Sequence, residues 1–170
     1  MSKHRAHAKP DSSPSAKPVH ELAKDLALQQ AAGKKVVFTN GVFDLIHPGH
    51  IRYLREAASL GDLLVVAIND DESVARLKGP KRPILPENER AKIVGSLDMV
   101  AHVVLFSEDT PLKTIELLKP DILVKGGDYA TDQIVGAEFV ERNGGRVLSL
   151  AFEDGFSSSG IVERILKASR

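Results

Sequence analysis

Two imidazoles, His47 and His50, lie three positions apart with Pro48 and Gly49 between them. Proline fits the first turn of a helix and pushes the residue before it out of helical geometry. A helix is therefore predicted to start at Pro48, with His47 at its cap and His50 in its first turn. The first N–H groups of a helix have no partner inside it and bind anions. Two imidazoles beside such a terminus suit a phosphate. The residues upstream fit the same chemistry. Residues 36–39 are apolar and largely β-branched, as in a short buried strand. Asn40-Gly41 breaks it, and Gly41 lets the backbone from Asn40 through Val42, Phe43 and Asp44 turn N–H groups closely onto a phosphate. Asp44 is suited either to anchor a substrate or to cap the loop.

Three further stretches could handle charge. Lys78, Lys81 and Arg82 sit in a run interrupted by Gly79, Pro80 and Pro83. Cations beside a triphosphate neutralise charge that develops during nucleotidyl transfer, although the same composition also suits a solvated loop. The run is expected to be mobile until an anion orders it. Arg90, on the helix that follows, is a weaker candidate of the same kind. Lys125-Gly126-Gly127-Asp128 comes directly after a predicted strand, where glycines let a ligand lie against the backbone or simply make a turn. Ser157, Ser158 and Ser159 precede the last helix. One serine suffices as a cap, whereas three followed by Gly160 suit phosphate oxygens better. A Gly-x-Gly-x-x-Gly fingerprint after the first strand and a Gly-Lys-Ser/Thr loop are both missing, which disfavours dinucleotide oxidoreductases and P-loop enzymes.

The elements that must position these residues follow from periodicity. Helices are predicted over 19–32, 48–60, 70–77, from Pro86 onward with Ile93, Val94 and Leu97 inward, 111–118 with Thr110 as cap, 135–142 and 161–168. Strands are predicted over 36–39, 63–68, 100–106, 122–124 and 146–150. The run 63–68 (LLVVAI) is apolar throughout, as in a parallel strand covered on both faces. Alternating strands and helices give an α/β, doubly wound, Rossmann-like sheet of five parallel strands with helices on both faces. The strand order cannot be read from the pattern. Ligands in such sheets bind beyond the carboxyl ends of the strands, and the unusual segments follow strands one, two, four and five.

The 170 residues suit one domain. Lys plus Arg and Asp plus Glu number 23 each, so the formal net charge is zero and nothing global favours nucleic acid or an anionic membrane. Cysteine is absent, which excludes disulfides, thiolate metal sites and cysteine nucleophiles. No apolar run is long enough to span a bilayer, and the N-terminus has no secretory h-region. A cytoplasmic location is the expectation. Residues 1–18 are rich in Lys, His, Ser and Pro and are expected to be a disordered tail before a domain over 19–170.

The stretch from Gly41 to His50 resembles the His-x-Gly-His signature of the cytidylyltransferase-like nucleotidyltransferases. The resemblance extends through the basic segment, the Gly-rich segment and the serine cluster, from about Lys34 to Leu166. The runs TNGVFDLIHPGH, KGPKRPILPENERA and VKGGDY look like the branch that adenylylates heptose 1-phosphate. Glycerol-phosphate cytidylyltransferases resemble the chain less; they usually carry Thr-Thr where this chain has Ser158-Ser159. The resemblance implies ATP and heptose 1-phosphate as substrates, with ADP-heptose for the lipopolysaccharide core as product. It implies Mg²⁺ held mainly by the ATP phosphates, no protein metal ligands and a homodimer. His47, His50 and Lys78 are implied as catalytic. Asn40 to Phe43, both histidines, Lys125 to Asp128 and the three serines are implied to bind nucleotide, and Asp44, Lys78, Arg82 and Arg90 the acceptor. A cytidylyltransferase acting on glycerol 3-phosphate and a nucleotide-binding regulator without turnover are the alternatives.

Overall fold

The computed structural model describes residues 16–127, 129–151 and 155–169. The order is α1 (Val19–Ala31), β1 (Val36–Gly41), α2 (Pro48–Ala58), β2 (Leu63–Asn69), α3 (Asp71–Lys78), α4 (Glu87–Gly95), β3 (His102–Phe106), α5 (Leu112–Leu118), β4 (Ile122–Gly126), a 3₁₀ turn (Thr131–Gln133), α6 (Ala137–Arg142), β5 (Arg146–Leu150) and α7 (Ser158–Ala168). The strands form one sheet in the order β3-β2-β1-β4-β5, every pairing parallel. The chain builds outward from β1 to β3, then returns to lay β4 on the other side of β1. That reversal opens a crevice at the carboxyl ends of β1 and β4.

Strand residues alternate between two cores. Val36, Phe38, Val65, Ala67, Val104 and Leu123 pack beneath α1, α5 and α6 with Leu22, Leu26, Ile115, Leu118 and Val140. Val37, Leu64, Val66, Ile68, Val103 and Val124 face the other way, against Tyr53, Leu54 and Ala57 of α2 and Ala91 and Val94 of α4. Both faces are covered, so the strands need no polar face, and the doubly wound parallel sheet follows as expected.

Several boundaries differ from those predicted. β1 and β4 each run two residues further, because their partners keep supplying parallel pairs for β1 as far as Gly41 and for β4 as far as Gly126. Lys125 and Gly126 therefore belong to β4 rather than to a loop after it. α7 starts at Ser158, three residues early. Thr110 does not cap α5, whose cap position is Pro111 without a side-chain bond. Ile93 is 40% exposed rather than inward, since the buried stripe of α4 passes through Arg90, Ala91 and Val94 and leaves position 93 beyond its edge. Residues 1–15 of the expected tail lie outside the described residues. Ala16 packs against the core, and the Lys17 amide donates to the Val103 carbonyl at 2.9 Å on the edge strand β3.

Candidate active site

The carboxyl ends of β1, β2 and β4 open into a cavity of about 540 Å³. Asn40 to Asp44, His50, Tyr53, Asn69, Lys78, Lys125, Gly126 and Ser158 line it, together with residues of the β3–α5 and β4–α6 connections.

The start of α2 forms as predicted. His47 is the extended N-cap (φ −141°, ψ 168°), and its Nδ1 accepts from the His50 amide at a long 3.4 Å. Pro48 supplies the first helical position, where its missing N–H costs nothing. A Cβ on Gly49 would lie 3.1 Å from His47 Nδ1 and 3.2 Å from the Phe156 Cβ, so the glycine makes room for the imidazole. The two imidazoles stack with centroids 3.8 Å apart and planes 21° apart. Phe43 leans against His50 at 5.3 Å, from a left-handed backbone (φ 49°) that swings its ring over Gly41.

The stack gives the histidines different surroundings. His50 lines the cavity, whereas His47 stands behind it and borders an outer groove with Ile46, Ile51 and Arg52. Burial, then the neighbouring His47 and Lys78, pushes the His50 pKa down to about 4, so its imidazole is neutral at pH 7. Burial also lowers that of His47. The Nδ1 of His50 is buried without a hydrogen-bond partner, leaving Nε2 as the nitrogen available to a ligand. A neutral imidazole there donates one hydrogen bond without being consumed as an acid.

Two cations enter the cavity. Lys125 projects from β4 with Nζ 3.5 Å from Asn40 Oδ1, and burial lowers its pKa. Lys78 ends α3 and is exposed. Arg82 faces inward differently: its Nε lies 2.8 Å from Asp44 Oδ2, with the N–H off the hydrogen-bond axis, so the contact is an ion pair. Asp44 is buried and also accepts from the amides of Ile84 and Leu85. Arg90 does not reach the cavity. It is fully buried, and its guanidinium donates to the Leu85 and Val42 carbonyls and to Asp71. The expectation that Arg90 binds substrate is corrected on that ground: its donors are spent inside the fold.

The serines divide their work. Ser157 caps α7, its Oγ accepting from the Gly160 amide at 3.0 Å. Ser158 lines the cavity and donates to the Leu45 carbonyl at 3.2 Å, tying α7 to the loop before α2. Ser159 is exposed. The N-termini of α2 and α7 thus sit on the same side of the cavity, each with partial positive charge. Gly127 turns away from β4 with φ 118°. Asp128 lies outside the described residues.

Other lining residues escape a reading of the sequence. Tyr53 hydrogen-bonds Thr39 at 2.5 Å, and burial raises its pKa to about 12. Asn69 ends β2, its amide donating to Ser73 at 2.9 Å. Asp109, Thr110 and Pro111 arrive from the far side, and Gln133 to Val135 form a partly apolar wall. Only Thr110-Pro111 and the polar Asn69 closing an apolar strand carried a local signal, and Thr110 pointed to a cap.

A family model described as cytidylyltransferase-like matches residues 38–164, from β1 to the body of α7. The chain belongs to this family. As a cytidylyltransferase-like protein it is a nucleotidyltransferase. It is 56% identical over 162 residues to the "Bifunctional protein HldE" of Citrifermentans bemidjiense, covering 95% of this chain and 33% of that one. The chain spans about a third of the length of such relatives. A lipopolysaccharide core biosynthesis protein from Thermoplasma volcanium is 36% identical, with a TM-score of 0.57 over 71% of this chain and 98% of that one. A pantoate-beta-alanine ligase from Francisella tularensis, 16% identical with a TM-score of 0.58 over 88% of this chain and 70% of that one, shares the fold.

Proposed function

We propose that the protein transfers AMP from ATP to a heptose 1-phosphate, releasing pyrophosphate and forming ADP-heptose for the lipopolysaccharide core. The observation that carries the transfer chemistry is His50: a neutral, half-buried imidazole at a helix N-terminus, facing a cavity that also holds Lys125 and Lys78. The substrate pair rests on the resemblance of the three sequence runs and on similarity to proteins named HldE and to a lipopolysaccharide core biosynthesis protein.

A phosphate oxygen of the acceptor attacks the α-phosphorus of ATP. The new P–O bond forms as the bond to the β-phosphate oxygen breaks, and pyrophosphate carries the electron pair away. No covalent enzyme intermediate is needed. The Nε2 of His50 donates to the α-phosphate as charge develops, and His47 orients it by stacking. Lys125 and Lys78 draw the phosphates together, and the N-termini of α2 and α7 hold the remaining oxygens. Catalysis is then positioning plus electrostatic stabilisation. Among the described residues no group of three or more His, Asp or Glu side chains is placed to hold a metal. In this proposal Mg²⁺ would be held by the triphosphate oxygens and most of its waters, and would supply neutralisation of phosphate charge beside Lys125 and Lys78. The acting form in this proposal is a cytoplasmic homodimer; among the described residues no helix is long and apolar enough to cross a membrane.

The deciding experiment is a panel of nucleotides and phosphorylated acceptors scored by pyrophosphate release. ATP with heptose 1-phosphate should be the best pair. Turnover with CTP and glycerol 3-phosphate, and none with ATP and heptose 1-phosphate, would overturn the assignment.

A further inference from the structure

The cation-bearing segment between α3 and α4 is held in an unusual way. It has little apolar packing of its own: Ile84 is 50% exposed, Lys81 is exposed and Gly79 (φ 93°) has open space around it. Its far end is fixed instead through its backbone. Asp44 takes the Ile84 amide at 2.8 and 3.0 Å and the Leu85 amide at 2.9 Å, and pairs with Arg82 at 2.8 Å. The Leu85 carbonyl accepts from Arg90 Nε at 3.0 Å, and the same guanidinium takes the Val42 carbonyl at 2.6 Å. Leu85 is thus gripped by both its N–H and its C=O. Both Asp44 oxygens are occupied by donors of this chain, and its side chain is 1% exposed. Little of the carboxylate remains for a substrate.

We infer that Asp44 is a positioning residue. It latches the 79–85 segment to the phosphate loop after β1 and so fixes where Lys78, at the near end of that segment, stands relative to His50. For its kinetic consequence, this rests on the nucleotidyl transfer proposed above. The latch works because a carboxylate matches two backbone amides and a guanidinium at once. An amide in its place turns one N–H towards donors and leaves Arg82 without a counter-charge. Few apolar contacts would then hold the segment, and the chain leaving α3 after Lys78 would no longer be tied to the loop after β1, so the Lys78 side chain at that helix end would lose its bounded position.

Three variants test this: Asp44→Asn, Arg82→Gln and the double. Trypsin cuts after Lys78 and Lys81, whereas Pro83 protects the bond after Arg82, so cleavage within the segment reports its release without any substrate. Each single variant should be nicked at Lys78 or Lys81 about thirtyfold faster or more, the lower end of the expected size for a lost buried pair. The melting transition should stay cooperative and above assay temperature. With ATP and heptose 1-phosphate, kcat should fall on the order of 10²-fold, as for an ångström-scale misplacement, while ATP affinity changes about threefold or less. The double variant should be little worse than Asp44→Asn, because both changes break one device. Arg82→Lys should restore much of the protease resistance. A kcat loss in Asp44→Asn with wild-type nicking would mean that Asp44 touches substrate and would overturn the inference. Faster nicking with unchanged kcat, or additive losses in the double variant, would also overturn it. If Asp44→Asn does not fold, Arg82→Gln and Arg82→Lys carry the same comparison. Nicking needs no substrate, so a wrong acceptor leaves that arm of the test intact and shows up only in the pyrophosphate panel.

Discussion

His50 and His47 stand at the same helix start yet carry different loads. His50 faces the cavity with one nitrogen shut off, whereas His47 accepts its own helix's amide and supports the stack. His50→Ala should therefore lower kcat by about 10²–10³, or roughly 3–4 kcal/mol, with ATP affinity and melting temperature nearly unchanged. His47→Ala should lower kcat as well and also cost about 1 kcal/mol of stability through the lost cap. Near-normal kcat in both folded variants would refute the role given to the pair. Acid adds a second check. The folded pKa of His50, near 4, lies below its unfolded value near 6.5, so the unfolded chain takes up the proton first. The resulting penalty is absent above pH 6.5, grows as pH falls towards 4 and is complete below that. Melting temperature should drop across this window, and less steeply in His50→Asn; parallel curves would contradict the burial of this imidazole. His47 and His102, whose pKa values burial also lowers, account for part of the slope that remains.

At the level of elements, the start of α2 and the α3–α4 connection are built for placement rather than for stability. Gly49 sits in the first turn of α2, where Gly→Ala elsewhere in a helix gains up to about 1 kcal/mol. Here the added Cβ would meet the His47 ring and Phe156 at 3.1–3.2 Å. Gly49→Ala should therefore leave the melting temperature near or slightly above its starting value while kcat falls at least tenfold, on the order set by lost catalytic geometry. A variant with full activity would show that the ring has room to move. Arg90 makes the opposite case. Its loss strands the Leu85 and Val42 carbonyls in a buried site, whereas Asp71 is 42% exposed and stays hydrated. Arg90→Met should cost about 2–4 kcal/mol, or roughly 10 °C in a chain of this size, measured by calorimetry.

For the molecule as a whole, the central position of β1 matters most. With β2 on one side and β4 on the other, the loops after these three strands must share one crevice. The sheet's other edge interacts with the residues before α1. A chain beginning at Ala16 should match the full chain in melting temperature and kcat. One beginning at Val19 loses the bond from Lys17 to Val103 and should melt about 2–4 °C lower, the worth of roughly 1 kcal/mol, with kcat intact. A loss of activity on removing residues 1–15 would show that they reach the cavity.

Short-range chemistry was open to the sequence. The apolar β-branched run of β1, the proline at the start of α2, the His47 cap and the glycine beneath it are decided by neighbours within a few positions, where steric rules act directly. The five-strand parallel class followed for the same reason, from local periodicity repeated along the chain. What the sequence left open depends on partners far apart along it. The order β3-β2-β1-β4-β5 is a choice among pairings that the strands' composition permits equally. Whether Asp44 anchors a substrate or caps the loop, and whether Arg90 reaches a substrate, stayed open because a charged residue beside a phosphate loop has no local mark telling which way it faces. Ile84 and Leu85 lie 40 and 41 positions from Asp44, and Val42 lies 48 from Arg90, whereas the other Arg90 partners, Asp71 and Leu85, are 19 and 5 positions away. Only the packed fold brings those backbone groups to the buried charges, and an unsatisfied buried charge costs enough to determine where each side chain ends up.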